Sequence, residues 1–262
     1  MLNVKTEIKK PSALITCSVF VGRSLLHGLR NAEALIMAIA LPIMLMLMFT
    51  YVFGGAIDPS GEYVNYVVPG IILLCAGFGS SSTAVDVATD MTNGIIDRFR
   101  TMPIQSMNVI TGHVAASLAR NFLATGVVII IALLVGFRPE GSIFSWVTAI
   151  GVIALFILAF TWLFAAIGLV SKTPAAASSY GFVLLFLPYL SSAFVPISTM
   201  PKWLQGIAEN QPITPVIETI RSLLMGGAAG SYIWWAVGWC LLILVVSIIW
   251  STWTFKRKAG RR

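Results

Sequence analysis

The sequence runs to 262 residues, of which 58% are hydrophobic and 10% charged, against about 25% charged in soluble domains. A mean hydropathy of +0.90 and apolar runs long enough to cross a hydrocarbon core of about 30 Å argue against a soluble helical protein. The net charge of +7 does not indicate nucleic acid, because the basic residues flank apolar runs instead of forming a stripe interleaved with aromatics.

Residues 1–33 mix Ile15, Val19, Leu25, Leu26 and Leu29 with Arg23, His27 and Arg30. That is the composition of a helix lying along the membrane interface. Residues 13–21 follow Lys9 and Lys10 as a signal peptide would, but no A-x-A cleavage pattern follows, so the segment is read as retained.

The first span is expected over 34–53, with Pro42 inside it as a source of a kink. Residues 54–66 carry Asp58, Pro59, Gly61 and Glu62 and no basic residue, and predict a short outer turn. The second span is expected over 67–88. Its middle holds Gly77, Gly79, Ser80, Ser81, Ser82 and Thr83. Small and hydroxylated residues serve tight helix packing or the wall of a translocation path, and both readings stand at this point. Asp86 and Asp90 mark the inner end of the span.

The third span is expected over 118–137. Arg120 falls near its inner end, where it can snorkel to the interface. The fourth lies within 144–169, after a turn with Arg138, Pro139, Glu140 and Gly141. A tight inner turn with Lys172 and Pro174 leads to a fifth span over 175–195, which opens with Ala175, Ala176, Ala177, Ser178 and Ser179.

Residues 196–231 are too polar to span. A short helix is expected over 201–209. Thr214 and Pro215 predict a second helix start, as N-cap and first helical residue. Val216, Ile217, Ile220, Leu223 and Leu224 share one face, and Gly226 is a stop signal. Together these predict a helical hairpin half-sunk in the outer leaflet. The sixth span is expected over 233–255, followed by the basic tail 256–262.

The fold class is therefore an all-α membrane protein, a single domain of six transmembrane helices over 1–262. It has an N-terminal interfacial helix (1–33), spans one to five (34–195), an outer re-entrant hairpin (196–231), span six (233–255) and a basic tail. With both termini inside, thirteen basic residues lie on the inner side: Lys5, Lys9, Lys10, Arg23, Arg30, Arg98, Arg100, Lys172, Lys256, Arg257, Lys258, Arg261 and Arg262. Arg138, Lys202 and Arg221 make three on the outer side. The positive-inside rule favours this orientation.

The sequence lacks a G-x-x-x-x-G-K-[ST] phosphate loop, an H-E-x-x-H and a G-x-S-x-G. Cys17, Cys75 and Cys240 are far apart and form no C-x-x-C, so no zinc site or disulfide framework is expected. No ionisable residue falls near the centre of an expected span, which weakens ion-coupled transport. Energy for transport would have to come from another chain. The stretch 93–104 suits its reception: Gly94 and Pro103 bracket a short amphipathic segment. Ile95, Ile96, Phe99 and Met102 are apolar; Asp97, Arg98 and Arg100 are charged. Such a segment fits a groove on a partner or simply connects two spans.

The segment GIIDRFRTMPI (94–104) resembles the cytoplasmic signature of ABC-2 type permeases, most of all the daunorubicin/doxorubicin-type drug-resistance branch. Residues 30–57 (RNAEALIMAIALPIMLMLMFTYVFGGAI) and 194–226 (FVPISTMPKWLQGIAENQPITPVIETIRSLLMG) resemble the same branch. The resemblance implies half of a membrane pore: two permease copies, as a homodimer, each with a cytoplasmic ABC ATPase subunit that carries the ATP and Mg. No cofactor or metal is expected in this chain, and no catalytic residue.

The resemblance implies that Gly94, Ile95, Ile96, Asp97, Arg98, Phe99, Arg100, Met102 and Pro103 couple to the ATPase subunit. It implies that spans two and five line the dimer interface or the path, through Gly77, Gly79, Ser80, Ser81, Thr83, Ser178 and Ser179. The expected cargo is a hydrophobic or amphipathic drug, natural product or lipid, exported across the cytoplasmic membrane. A lipid or polysaccharide exporter of the same family is the nearest alternative, and an ATP-independent channel or membrane enzyme the alternative outside it.

Overall fold

The computed structural model describes residues 32–94 and 107–259. Among them every regular element is helical. In chain order these are α1 (Ala32–Leu47), α2 (Tyr63–Thr92), α3 (Met107–Val135), α4 (Ile143–Val170), α5 (Pro174–Leu184), α6 (Lys202–Asn210), α7 (Ile213–Leu224) and α8 (Tyr232–Ala259). Helix α1 runs on through a π-helical stretch, Met48–Phe53, and one more α-turn, Gly54–Ile57. The interfacial helix expected over 1–33 falls, but for its last two residues, outside the described residues.

Among the described residues five helices are long and apolar enough to cross a membrane: Ala38–Ile57, Tyr63–Thr92, Ile110–Val135, Ile143–Val170 and Tyr232–Phe255. In a bilayer the helix satisfies its own backbone groups, which is why apolar runs of this length adopt it. The expected fifth span is different. α5 ends at Leu184 and a 3-10 turn, Leu187–Leu190, follows. Pro188 stands in that turn; with no N–H to give the carbonyl one turn back, it cannot continue an α-helix. The chain then turns through Ser191–Phe194 into a strap that leads to α6.

Helix α2 is the hub. It packs against α1, α3, α4 and α5, and α4 packs in turn against α8. Nearly all of the first half of α2 is buried, from Tyr63 through Gly77. Glycines bring the helices close. A Cβ on Gly168 of α4 would lie 2.5 Å from the carbonyl oxygen of Ala84 on α2, and one on Gly70 would lie 2.7 Å from the Cβ of Ala193 in the strap. The periphery is apolar and open: Leu134, Ile143, Phe144, Trp234, Ile249 and Trp253 are all exposed, as a lipid-facing surface requires.

The segment between α5 and α8 holds two short helices. α6 and α7 form where two short helices were read, and Val216, Ile217, Ile220, Leu223 and Leu224 are all buried on one face. Gly226 adopts φ +75° just past α7, the left-handed stop that glycine permits. The predicted cap is corrected. α7 begins at Ile213 after Pro212, Thr214 lies inside the helix and accepts no capping N–H, and its hydroxyl donates to the carbonyl of Ala208 in α6, at 2.5 Å. Thr214 thereby ties the two short helices together.

Candidate functional site

The expected coupling residues lie almost wholly outside the described residues: Ile95, Ile96, Asp97, Arg98, Phe99, Arg100, Met102 and Pro103 are not among them. Gly94 is. It adopts φ +66° and its N–H donates to the carbonyl of Met91, ending α2. Glycine takes this left-handed conformation without a Cβ penalty.

The small residues of α2 divide among three neighbours. Gly79, Ser80 and Thr83 turn inward to α3 and α4. The Thr83 hydroxyl donates to Ser117 at 2.9 Å, and the Thr161 hydroxyl of α4 donates to Ser80 at 3.2 Å. Asn121 of α3 is fully buried, and its amide nitrogen donates to Ser117 at 3.3 Å and Ser80 at 3.4 Å. Gly77 and Ser81 instead meet α5: a Cβ on Gly77 would lie 3.3 Å from Leu185, and one on Gly181 would lie 3.5 Å from the Cβ of Ser81. Ser178 and Ser179 of α5 are exposed. The structure thus brings Gly79, Ser80 and Thr83 together, and separates them from Ser178 and Ser179.

Sequence reasoning missed the partners of this cluster. Asn121 draws no notice in the sequence, because one amide in an apolar run has no visible partner. Arg120 is corrected in position and role. α3 begins at Met107, before the expected start at 118, so Arg120 lies well inside the helix. It does not snorkel away: its guanidinium donates to Ser82 of α2 at 2.6 Å and lies 3.5 Å from the carboxylate of Asp86. Nearer the Gly94 end of α2, His113 of α3 meets Asp90 of α2 at 3.0 Å.

A second polar cluster holds the strap at the opposite end of α2. The Tyr63 hydroxyl donates to the carbonyl of Phe194 at 2.7 Å, and that of Tyr66 to the carbonyl of Ser192 at 2.9 Å. Arg221 of α7 donates to the carbonyls of Ser192, at 2.6 Å, and Tyr66, at 3.2 Å, pairs with Glu218 and lies 3.8 Å above the Tyr66 ring. A cavity of about 490 Å³ opens here between Tyr66, Ile197, Thr214 and Arg221. In the neighbouring turn, hydrogen bonds from the hydroxyl and amide of Ser60 hold the Asp58 carboxyl below its usual pKa.

A larger groove, of about 710 Å³, runs along the Lys172 turn between α4, α5 and α8. Val170, Tyr180, Val183 and Trp250 give it apolar walls. No group of three or more metal-ligating side chains occurs among the described residues. The chemistry on offer is apolar contact and hydrogen bonding, with His113–Asp90, Arg120–Asp86 and Arg221–Glu218 paired within the fold.

Comparison with known proteins follows the same line. The profile of the ABC-2 type transporter family matches residues 16–225. The chain is 34% identical over 215 residues to the daunorubicin resistance ABC transporter permease protein DrrB1 of Streptomyces coeruleorubidus, covering 81% of this chain and 74% of that protein. It is 25% identical over 231 residues to the probable doxorubicin resistance ABC transporter permease protein DrrC of Mycobacterium tuberculosis (strain CDC 1551 / Oshkosh), covering 85% and 83%. It is also 25% identical over 195 residues to the inner membrane transport permease YadH of Escherichia coli (strain K12), covering 71% and 74%.

Proposed function

The chain belongs to the ABC-2 type transporter family, and on that premise we propose that it is the membrane-spanning permease subunit of an ATP-driven exporter. The cargo is a hydrophobic or amphipathic compound, moved outward across the cytoplasmic membrane with both termini inside. ATP and Mg are bound and turned over by a separate cytoplasmic subunit, present in two copies beside two copies of this chain.

One observation carries this reading: the family match runs through the apolar helices as far as α7. The names of two relatives add the cargo class, since they are resistance permeases for daunorubicin and doxorubicin. The apolar groove at the Lys172 turn and the open face of α5 suit a lipophilic cargo better than an ion.

Transport is then a shift between two conformations, driven by an ATPase subunit with different affinity for each. Residues 94–104 pass that preference to the membrane helices. Co-purification with candidate ATP-binding subunits, followed by ATPase assay with and without this chain, tests the reading. A stable complex with altered ATPase activity is the expected result. Failure to associate with any such subunit overturns it.

A further inference from the structure

The two helices joined by residues 95–106, α2 and α3, are fastened to each other by polar contacts along their shared face. His113 meets Asp90 near the connection. One or two turns deeper, Arg120 holds Ser82 and Asp86. Alongside, Ser117 and Asn121 hold Thr83 and Ser80. Arg120 and Asn121 are consecutive and diverge around the helix, so they grip α2 from two sides. Arg120 reaches Ser82, whose hydroxyl donates to the carbonyl of Gly79, and Asn121 lies directly over Gly79.

An arginine within an apolar helix is costly unless it is partnered. Both partners of Arg120 named here come from the other leg, so the cation is satisfied only while the legs stay in register. The packing of α8 on α4 is of another kind, built from Trp162, Leu158, Leu244, Ile248 and Phe255. Apolar side chains can slide past one another by small steps, whereas a directional pair cannot.

We propose that α2 and α3 move as one rigid hairpin and that Arg120 is the positioning residue which keeps its two legs in register through Ser82 and Asp86. A displacement delivered at residues 95–106 then reaches the outer end of α2 without being absorbed between the legs. The transport half of this inference rests on the permease reading; the mechanical half does not.

The test pairs the two halves. Spin labels at the exposed Thr92 and Leu123, in a background with the native cysteines replaced, report the distance between the legs in the purified permease alone. A single narrow distribution is expected, broadened by Asp86→Ala and by Arg120→Ala, and narrow again in the exchanged pair Asp86→Arg/Arg120→Asp. In the complex with its ATPase subunit, each single variant lowers daunorubicin moved per ATP by about fivefold while association persists, and the exchanged pair recovers it.

A distribution that stays narrow in both single variants overturns the rigid-hairpin role. So does an exchanged pair with neither distance nor transport restored, which makes Arg120 a contact in its own right. Absence of any associating ATPase subunit defeats the permease reading and leaves the label measurement to decide the hairpin.

Discussion

A Cβ on Gly79 would lie 1.5 Å from Oδ1 of Asn121, so the amide of Asn121 occupies the space that any other residue at position 79 would need. Gly79→Ala forces α2 and α3 apart, or turns the buried amide away from Ser80 and Ser117. Overpacking of this kind costs about 1–3 kcal/mol, read as a lowered midpoint of thermal unfolding in detergent. Asn121→Ala is itself destabilising, because it strips Ser80 and Ser117 of a partner. Adding Gly79→Ala to it should then cost little, since the obstructing amide is gone. Strict additivity of the two would show that they do not interact.

Gly168 makes the same argument with a different ending. Its missing Cβ faces the carbonyl oxygen of Ala84 at 2.5 Å, with Val87 beside it at 3.0 Å. Gly168→Ala should destabilise by a similar amount, but Val87→Ala should not rescue it, because the obstacle is helix backbone. Thermal unfolding of both variants and the double variant separates the cases. Rescue by Val87→Ala would mean that the helices can part at little cost.

How far the sequence foretold this arrangement follows from where each signal is stored. The long helices were legible because an apolar run of bilayer length has one backbone solution. α7 was legible because its buried side chains recur on one face and Gly226 marks its end. The break after α5 was not, because Pro188 sits within a run of apolar residues whose length alone predicted a span. The start of α7 was misplaced because Thr214 can cap its own helix or bond to its neighbour, and only the approach of Ala208 decides. The family was legible in residues 94–104, and the match over 16–225 bears it out. The grip of Arg120 and Asn121 on α2 joins residues more than thirty positions apart, a pairing that one sequence cannot display.

Arg221 is the keystone of the strap. Arg221→Ala leaves the carbonyls of Ser192 and Tyr66 short of a charged donor, and should cost about 1–3 kcal/mol. Arg221→Lys keeps the charge but cannot reach both carbonyls while covering the Tyr66 ring, so it should restore only part of the loss. Hydrogen exchange localises the effect: amides of residues 191–195 should exchange faster in Arg221→Ala than in Arg221→Lys, with α4 unchanged. Uniform loosening of the whole chain would show that Arg221 supports the fold at large and not the strap.

Phe99 tests the proposed coupling directly. The segment 94–104 carries one aromatic ring among short charged and aliphatic neighbours. A protruding aromatic seated in a partner's pocket is worth about 2 kcal/mol, or roughly thirtyfold in Kd. Phe99→Ala should therefore weaken association with the ATPase subunit and its stimulation, while membrane insertion and thermal stability of the permease alone stay as in the parent chain. Phe99→Leu, which keeps an apolar knob of smaller size, should fall between the two. Since the apolar contact and not the charge is at issue, Asp97→Asn should have the smaller effect. Normal association and stimulation in Phe99→Ala would remove Phe99 from the coupling surface. Equal losses in Phe99→Ala and Asp97→Asn would point to general disruption of the segment instead of a knob in a pocket.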